Sequence, residues 1–343
     1  MRNKLFIESF ILLGLAFMTS CSETITSGPA KDVLSKRDYS RVVNAYEVVG
    51  DFVDGYAIVQ QDLFKVGLIN TKGEELIPCT YYYLSEVCDG AIVAERRDEA
   101  SGDYSYALID VNGKEIVPFQ KYDEIDRSFS DGFVVVKAGK YSDRKYTYVN
   151  TKGEELFPLG TYNECCRFSE GYGRVEKMTG KHSKYGFINT NGEEVIPCKF
   201  AMAKDFSDGM AIVRNNNWKY GFIDKTGNVV VEQVYTDVED FSEGLAYAEN
   251  INNQIIVINN KGEVQFTLPS NIIPRGSFHN GLSLVKDRKK GLYGYINSNG
   301  IMSIPCIYER GDDFENGVAG VLTVDGVYTY IDTKGKEVVK EED

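Results

Sequence analysis

A short motif that ends in glycine recurs eight times along the chain, and this repetition restricts the fold more than any other feature. Its complete form is an aromatic residue, a small residue, an acid and Gly, as in Phe-Ser-Asp-Gly at 206–209. The final glycines of the copies lie 35 to 42 residues apart, and they are Gly55, Gly90, Gly132, Gly171, Gly209, Gly244, Gly281 and Gly317. A second series alternates with the first, at Gly73, Gly113, Gly153, Gly192, Gly227, Gly262, Gly300 and Gly335. Two series in step over 343 residues indicate about eight tandem units rather than two separate domains.

Each unit contains three segments with strand character. An apolar run follows the motif, as at 210–213, and an aromatic segment such as 220–224 comes after a polar loop. A third segment runs into proline, as at 194–197, and proline cannot donate to a strand ladder. The second Gly ends a short polar connection, as at 189–192, where a hairpin needs positive φ. The pattern predicts an all-β fold, a tandem array of about eight three-stranded β-meander repeats, arranged either like a propeller or as an open β-solenoid.

The aromatic segment of each unit carries a resemblance to a known family. Its form is aromatic-Gly-aromatic-Ile-Asp/Asn at 185–189, 220–224 and 293–297, and an Ile-Pro follows the hairpin in several units. This resembles the WG-repeat family of bacterial β-repeat proteins, over about residues 42–340. Tyr or Val stands in place of the signature Trp, and the sole Trp218 lies two residues earlier. The resemblance implies a repeat scaffold, and it brings no agreed activity or catalytic residue.

The N-terminus is typical of a targeting segment. Residues 1–20 combine two basic residues with an apolar run at 10–18, which is too short to span a bilayer as a helix. The sequence Met-Thr-Ser-Cys at 18–21 resembles the lipobox of bacterial lipoproteins, which implies cleavage before Cys21 and a lipid on Cys21. The alternative is an ordinary secretory peptide that ends at a chance cysteine. Residues 21–40 are interpreted as a flexible tether and residues 41–343 as the repeat domain. The lipid would place the protein at the cell envelope, anchored in the outer membrane and facing either the periplasm or the cell exterior.

The two ends of the repeat region complement each other in sequence. Val42, Val43 and Tyr46 resemble the end of a third strand ahead of the first complete unit, whereas the last unit stops at 337–339 without that aromatic tail. Such an offset could close a ring of units, and it could equally cap an open solenoid. The sequence leaves both arrangements open.

Composition excludes several classes of function. The formal charge of −13, from 51 acidic and 38 basic residues, argues against nucleic acid as a partner, and loss of residues 1–20 would make it −14. The chain has only two histidines, His182 and His279, and they are far apart in sequence. This argues against a His-rich metal site and against a His-based catalytic triad. The chain has no P-loop, no Gly-x-Gly-x-x-Gly and no Gly-x-Ser-x-Gly. The sequence predicts a non-enzymatic protein without a metal or cofactor.

The acid of the motif invites a calcium or carboxylate-catalysis interpretation. Its recurrence in most copies favours a turn role instead, because Asp is locally favoured before a positive-φ Gly. The acids are Asp54, Asp89, Asp131, Glu170, Asp208 and Glu243. A hydrolase would need paired carboxylates that break the pattern, and the one local cluster, Glu95, Asp98 and Glu99, has the character of a charged loop tip.

Three cysteines occupy equivalent slots after Ile-Pro, at Cys79, Cys198 and Cys306. Equivalent slots in separate units are held apart, so these thiols are not expected to pair with one another. Cys88 could find a partner that the sequence does not identify, and small buried thiols are the favoured interpretation.

The loops after the first strand supply the candidate binding residues. The distance from first to second Gly is 18 or 19 residues in five units but 23, 21 and 21 in units two to four. These loops and their counterparts are rich in basic and aromatic residues, and equivalent loops of a repeat array emerge on one face. The candidates are Arg96, Arg97, Tyr141, Arg144, Lys145, Lys181, His182 and Trp218. Solvated loops that tolerate insertion are the alternative.

The predicted function is a lipid-anchored, non-enzymatic β-repeat binding or scaffold protein of the bacterial cell envelope. Its loops would present charge pairing and aromatic stacking to a protein or anionic partner. The alternative is a glycan-binding accessory lipoprotein, which the 23 Tyr and the loop aromatics favour.

Overall fold

The structure is a computed structural model that describes residues 28–140 and 143–338. The predicted signal peptide, Cys21, Tyr141 and the residues after 338 lie outside these ranges. The chain divides into two compact units, residues 1–168 and 169–343, with the division inside one strand, Glu164–Ser169.

The first unit contains two α-helices and eleven strands among its described residues up to Asn150. The helices are α1 Ala30–Val33 and α2 Lys36–Ala45. The strands are β1 Val48–Val49, β2 Tyr56–Asp62, β3 Lys65–Asn70, β4 Glu75–Tyr81, β5 Tyr83–Leu84, β6 Ala91–Arg97, β7 Tyr104–Asp110, β8 Glu115–Val117, β9 Glu124–Ile125, β10 Phe133–Ala138 and β11 Lys145–Asn150. They form three antiparallel sheets, with orders β1-β2-β3-β4, β5-β6-β7-β8 and β11-β10-β9.

The strands that follow continue the same pattern. They are β12 Glu164–Ser169, β13 Tyr172–Thr179, β14 His182–Asn189, β15 Glu194–Phe200, β16 Met202–Ser207, β17 Met210–Arg214, β18 Tyr220–Asp224, β19 Val229–Tyr235, β20 Asp237–Val238, β21 Leu245–Glu249, β22 Ile255–Asn259, β23 Val264–Thr267, β24 Ile272–His279, β25 Leu282–Asp287, β26 Tyr293–Asn297, β27 Met302–Gly311, β28 Val318–Thr323, β29 Tyr328–Asp332 and β30 Glu337–Val338. Each sheet is a meander in chain order: β12 to β15, β16 to β19, β20 to β23, and β24 to β30, in which β27 serves two repeats.

The predicted all-β array of meander repeats is confirmed, since most of the described residues lie in strands and only α1 and α2 are α-helical among them. Most sheets, however, have four strands rather than three. The additional strand precedes the motif and is two residues long in several repeats, as in β5 and β20. Two residues cannot show a period of two, so sequence patterning did not reveal this strand.

The motif itself is the turn that joins this additional strand to the next one. Glu243 and Gly244 both have left-handed backbone, with φ of 51° and 76°. Ser242 and Leu245 exchange backbone hydrogen bonds of 2.9 and 3.1 Å across them. Two consecutive positive-φ residues define a two-residue type I′ hairpin, which matches the twist of the flanking strands. The prediction that the motif acids are turn residues is confirmed.

The same motif also links several repeats to the ones that follow them in the chain. In residues 169–338, the acid side chain accepts a hydrogen bond from the backbone N–H of the following motif glycine: Glu170 from Gly209 at 3.0 Å, Asp208 from Gly244 and Glu243 from Gly281 at 2.8 Å. The serine before the acid donates to the carbonyl oxygen of the following motif aromatic residue, as Ser207 does to Phe241 and Ser242 to Phe278, at 2.9 and 2.6 Å.

The motif aromatic residue packs on the central strand of the preceding repeat. Ring centroids are 4.8 Å apart for Phe206 and Phe187, and 4.6 Å apart for Phe241 and Phe222. All four side chains are at most 2% exposed. One four-residue motif therefore supplies a turn, two kinds of hydrogen bond to the next repeat and a core ring.

The glycine between the two aromatic residues of the central strand is required for space. A Cβ on Gly221 would lie 2.3 Å from the carbonyl oxygen of Val231, because the third strand crosses directly over this position. Repeats with this glycine have third strands of seven or more residues, namely β4, β15, β19 and β27. Where Ala107 or Ile256 replaces it, the third strands β8 and β23 have only three and four residues.

The second glycine series forms the predicted hairpins. All eight of its glycines have φ between 67° and 81°. The Asn or Asp three residues earlier accepts two backbone hydrogen bonds, as Asn189 does from Asn191 and Glu193, both at 3.0 Å. This side chain fixes the turn that the Gly conformation permits.

The segment before the first repeat is helical, which corrects two expectations. A flexible tether up to residue 40 and a strand-like Val42-Val43 were predicted, but α1 and α2 occupy this region. Ser35 caps α2 by accepting from the Asp38 N–H, and Val42 is 1% exposed in a cluster with Phe52, Val59 and Ile69. Since Val42 and Val43 lie in a helix, they do not copy a third strand.

The prediction for the three equivalent cysteines is confirmed, whereas Cys88 is disulfide-bonded and is not the free buried thiol that the sequence favoured. Cys79, Cys198 and Cys306 are free thiols, and Cys79 and Cys306 are buried. Burial raises the pKa of Cys198 to about 11, so this thiol is a weak nucleophile at neutral pH. Within the described ranges, no helix has the length and apolar character needed to cross a membrane.

Candidate binding surface

Two of the predicted loop residues are engaged in the fold of the first unit. The Arg96 guanidinium lies over the rings of Tyr81 and Phe119, at 4.9 and 4.2 Å, and donates to the Tyr81 hydroxyl at 3.2 Å. Arg144 forms an ion pair of 3.4 Å with Glu124. Lys145 begins β11 and is exposed. Arg96 and Arg144 are therefore partly occupied by neighbours, whereas Arg97 and Lys145 face solvent.

In the second unit, the predicted residues lie at two hairpin tips. Lys181 and His182 are both exposed at the turn between β13 and β14, where His182 pairs with Thr179. Trp218 is 69% exposed at the turn between β17 and β18, and the Arg214 guanidinium lies 3.9 Å from its ring centroid. Tyr141 lies outside the described residues.

Glu95 is not part of a charged loop tip, as the sequence had suggested. Its side chain is 1% exposed and accepts two hydrogen bonds from Arg127, from Nε at 2.9 Å and from a terminal guanidinium nitrogen at 3.2 Å. Asp98 caps its own loop, and the N–H groups of Ser101 and Ala100, in that order of effect, lower the pKa of its carboxyl group. Both carboxylates have structural partners.

An exposed group of rings that the sequence did not single out lies beside Arg97. Phe64 stacks on Tyr82 with centroids 4.7 Å apart and ring planes 11° apart, and Tyr82 meets Tyr104 edge-on at 5.2 Å. Arg97 lies over the other end, 5.8 Å from the Tyr104 centroid. Phe64 and Tyr104 are 51% and 43% exposed. We call Phe64, Tyr82, Tyr104 and Arg97 the aromatic ledge.

Phe64 and Trp218 are unusual for their backbone as well as their exposure. Their φ angles are 62° and 61°, in the left-handed region that bulky residues rarely adopt. At the corresponding hairpin tips of two other repeats, the left-handed residues are Asn253 and Gly326, which suit it. Neither large ring is required by its turn. This was the available sequence signal: a large aromatic residue at a hairpin tip where Gly or Asn is favoured.

In the part of the chain that the structure describes, no three His, Cys, Asp or Glu side chains form a group that could hold a metal ion. Three of the motif acids, Glu170, Asp208 and Glu243, accept hydrogen bonds between repeats.

Comparison with known proteins identifies the family. A model described as WG containing repeat matches residues 45–62, 67–90, 106–141, 146–181, 185–217, 220–253 and 293–327, which together exceed half of the chain. The chain belongs to the WG-repeat family. The predicted resemblance is confirmed for the repeats, and bacterial lipoprotein status stays a prediction. No curated protein matched this WG-repeat chain by sequence.

Solved structures resemble this WG-repeat protein in fold, and these neighbours are β-propeller-like. A crystal structure described as the eukaryotic initiation factor has a TM-score of 0.51 and 10% identity, covering 83% of this chain and 84% of that one. BamB from Moraxella catarrhalis has a TM-score of 0.39 and 12% identity, covering 90% and 99% of the respective chains. AztD from Citrobacter koseri has a TM-score of 0.37 and 12% identity, covering 72% and 82%. At this identity the first likeness shows a shared fold alone.

Proposed function

We propose that this WG-repeat protein is a non-enzymatic binding or scaffold protein of the bacterial cell envelope, anchored by a lipid on Cys21. The repeats would hold hairpin tips in fixed positions, and the tips would contact the partner. A rigid sheet framework that presents variable loops is a common basis for binding.

The observation that carries this proposal is the placement of large aromatic side chains where the turns favour Gly or Asn. Leu63 and Phe64 form a two-residue tip and are 67% and 51% exposed. A bulky residue in left-handed backbone costs of order 1 kcal/mol, and an exposed ring regains little of this through burial. Residues that lower stability and face solvent are expected where they serve recognition.

The basic residues that the sequence predicted have a secondary role in this proposal. Arg97, Lys145, Lys181 and His182 are exposed, and they would steer a partner rather than anchor it, since exposed charges contribute mainly to association rate. Arg96 and Arg144 are less suited to a direct contact because each already has partners within the fold.

Retention of an envelope partner tests the proposal. The full-length chain is immobilised and exposed to detergent-solubilised envelope extract, alongside the double variant Phe64→Gly and Arg97→Glu. We expect wild type to retain a defined partner and the variant to lose it. The matched control is Lys334→Glu, a charge change at a second-series hairpin away from the first-strand loops. Equal retention by wild type and double variant, or no retained component at all, would contradict the proposal.

Lipid attachment is tested separately. Cells that express the chain are fed an alkyne-tagged fatty acid, and the tag is detected on wild type and on Cys21→Ser. We expect the label and the membrane fraction to be lost together in the variant. A label that persists in Cys21→Ser would refute anchoring at this residue.

A further inference from the structure

We infer that the aromatic ledge is a carbohydrate subsite that binds a neutral glycan chain by stacking a sugar ring on Phe64. This inference rests on the proposed binding function and names the ligand class of one of its surfaces. All residues of the ledge lie within residues 28–140 of the first unit.

The arrangement of rings provides a supported stacking face. Tyr82 covers one face of Phe64 at a centroid distance of 4.7 Å, and half of the Phe64 residue remains exposed. Tyr104 buttresses Tyr82 edge-on at 5.2 Å. Because Phe64 is held against Tyr82, which Tyr104 supports in turn, its ring is oriented before a ligand arrives, which reduces the entropy lost on binding.

Hydrogen-bonding groups suited to sugar hydroxyls lie around these rings. The hydroxyl groups of Tyr82 and Tyr104 are 3.5 Å apart, and each can both donate and accept. The guanidinium of Arg97 lies over Tyr104, and no ion pair engages it among the described residues. A sugar presents an apolar ring face and peripheral hydroxyls, so an aromatic platform with mixed donors and acceptors at its edge matches it.

The local charge favours a neutral ligand over an acidic one. The loop that follows Arg97 carries Asp98, Glu99 and Asp103. At the Phe64 tip, Lys65 is 3.5 Å from Asp62 and is thereby offset. An anionic glycan would meet Arg97 but would also be repelled by these carboxylates.

The surroundings also distinguish a sugar from a protein partner. Protein hot spots lie inside apolar surface that excludes water around them. Apart from Leu63 at the Phe64 tip, the ledge rings are instead bordered by the charged side chains just described. A hydrated rim around a small group of rings suits a ligand that is itself rich in hydroxyl groups.

The test is titration calorimetry on the full-length chain in a detergent without sugar headgroups. The probes are the hexasaccharides of glucose (β-1,4 and α-1,4), N-acetylglucosamine and xylose, together with hexagalacturonate as the acidic counterpart. We expect saturable binding of at least one neutral hexasaccharide, and Phe64→Gly should weaken it about tenfold, which corresponds to about 1.4 kcal/mol. The unfolding midpoint of Phe64→Gly should equal or exceed that of wild type, because Gly accepts the left-handed backbone.

Asn253→Gly is the matched control, since it also introduces glycine at a left-handed hairpin tip of another repeat. It should leave the affinity for the neutral hexasaccharide unchanged. Absence of neutral binding, tighter binding of hexagalacturonate, or binding that is insensitive to Phe64→Gly each overturns the inference. If wild type retains an envelope protein but binds no sugar, the glycan assignment fails and the general binding function stands; if neither occurs, both fail.

Discussion

Replacing Gly221 by Ala tests the role assigned to the central-strand glycine. Gly221 has no positive φ, so its substitution introduces no backbone strain of the left-handed kind. The added Cβ would lie 2.3 Å from the Val231 oxygen, 2.7 Å from the Glu232 carbonyl carbon and 2.8 Å from the Gln233 nitrogen. All three are backbone atoms of β19, and a rotamer change cannot move them aside.

The expected magnitude follows from these distances. Real Cβ contacts essentially never fall below 3.0 Å, so β19 must move by at least about 0.7 Å over β18. Overpacking of this kind costs about 1 to 3 kcal/mol, and loss of one or two strand hydrogen bonds adds about 1 kcal/mol each. The reduced freedom of the unfolded chain returns about 0.5 to 1 kcal/mol. We expect a net loss of about 2 to 3 kcal/mol in the free energy of unfolding.

Denaturant unfolding together with peptide-level hydrogen exchange measures this effect and locates it. Faster exchange should be confined to β19 and its neighbours. Gly209→Ala is the matched control, because its Cβ would meet open space while its φ is 77°. That variant should lose about 1 kcal/mol from backbone strain with β19 exchange unchanged. A loss below about 0.5 kcal/mol for Gly221→Ala, or unaltered exchange in β19, would refute the crowding argument.

Three further predictions concern polar contacts. Arg127→Met should lower the free energy of unfolding in urea by about 2 kcal/mol, because it leaves the buried Glu95 carboxylate without its cationic partner. Adding Glu95→Gln to the same chain should restore most of this stability. If it restores none, the loss is not a charge effect. Glu243→Ala should cost about 1 to 2 kcal/mol and speed amide exchange at Gly281, and unchanged exchange there would exclude the link between repeats. Burial and a hydrogen bond to a carboxylate raise the pKa of Tyr46 to about 12 from 10, so the folded state holds this proton more tightly. The stability that this raised Tyr46 pKa contributes is fully present below pH 10 and is lost as the pH rises through 12. The difference in phenolate absorbance between wild type and Tyr46→Phe should therefore report a pKa near 12 rather than 10.

The repeat number, the hairpins and the all-β class could be predicted because each depends on residues close together in sequence. Glycines with positive φ and the Asn or Asp three residues before them act within one turn, so every copy carries the full signal. The additional strand before the motif was not predicted, because its shortest examples, such as β5, are two residues long. The helix α2 was not predicted, because it occurs once, outside the repeating pattern, and because the packing of its Val42 on Phe52 depends on tertiary contacts.

The candidate site was less accessible to sequence reasoning. Arg96 and Arg97 are adjacent in sequence, but one is stacked between rings and the other faces solvent, which depends on the strand's alternation and on Tyr81 and Phe119. Composition likewise could not show that Glu95 is buried against Arg127, 32 residues away. The aromatic ledge joins three separate parts of the chain, and its rings become a group only after the strands have paired.

The links between repeats have a consequence for how such a chain can change over generations. Glu170, Asp208 and Glu243 each reach the next motif, 36 to 39 positions ahead, through a backbone N–H that every repeat offers whatever its side chains. Duplicating or deleting one unit would therefore leave its neighbours with equivalent partners. Recombination between the coding sequences of similar units could lengthen or shorten the array, while tips such as the one at Phe64 diverge on their own. The hairpin tips that would contact a partner and the motifs that join the repeats can in this way change almost independently of each other.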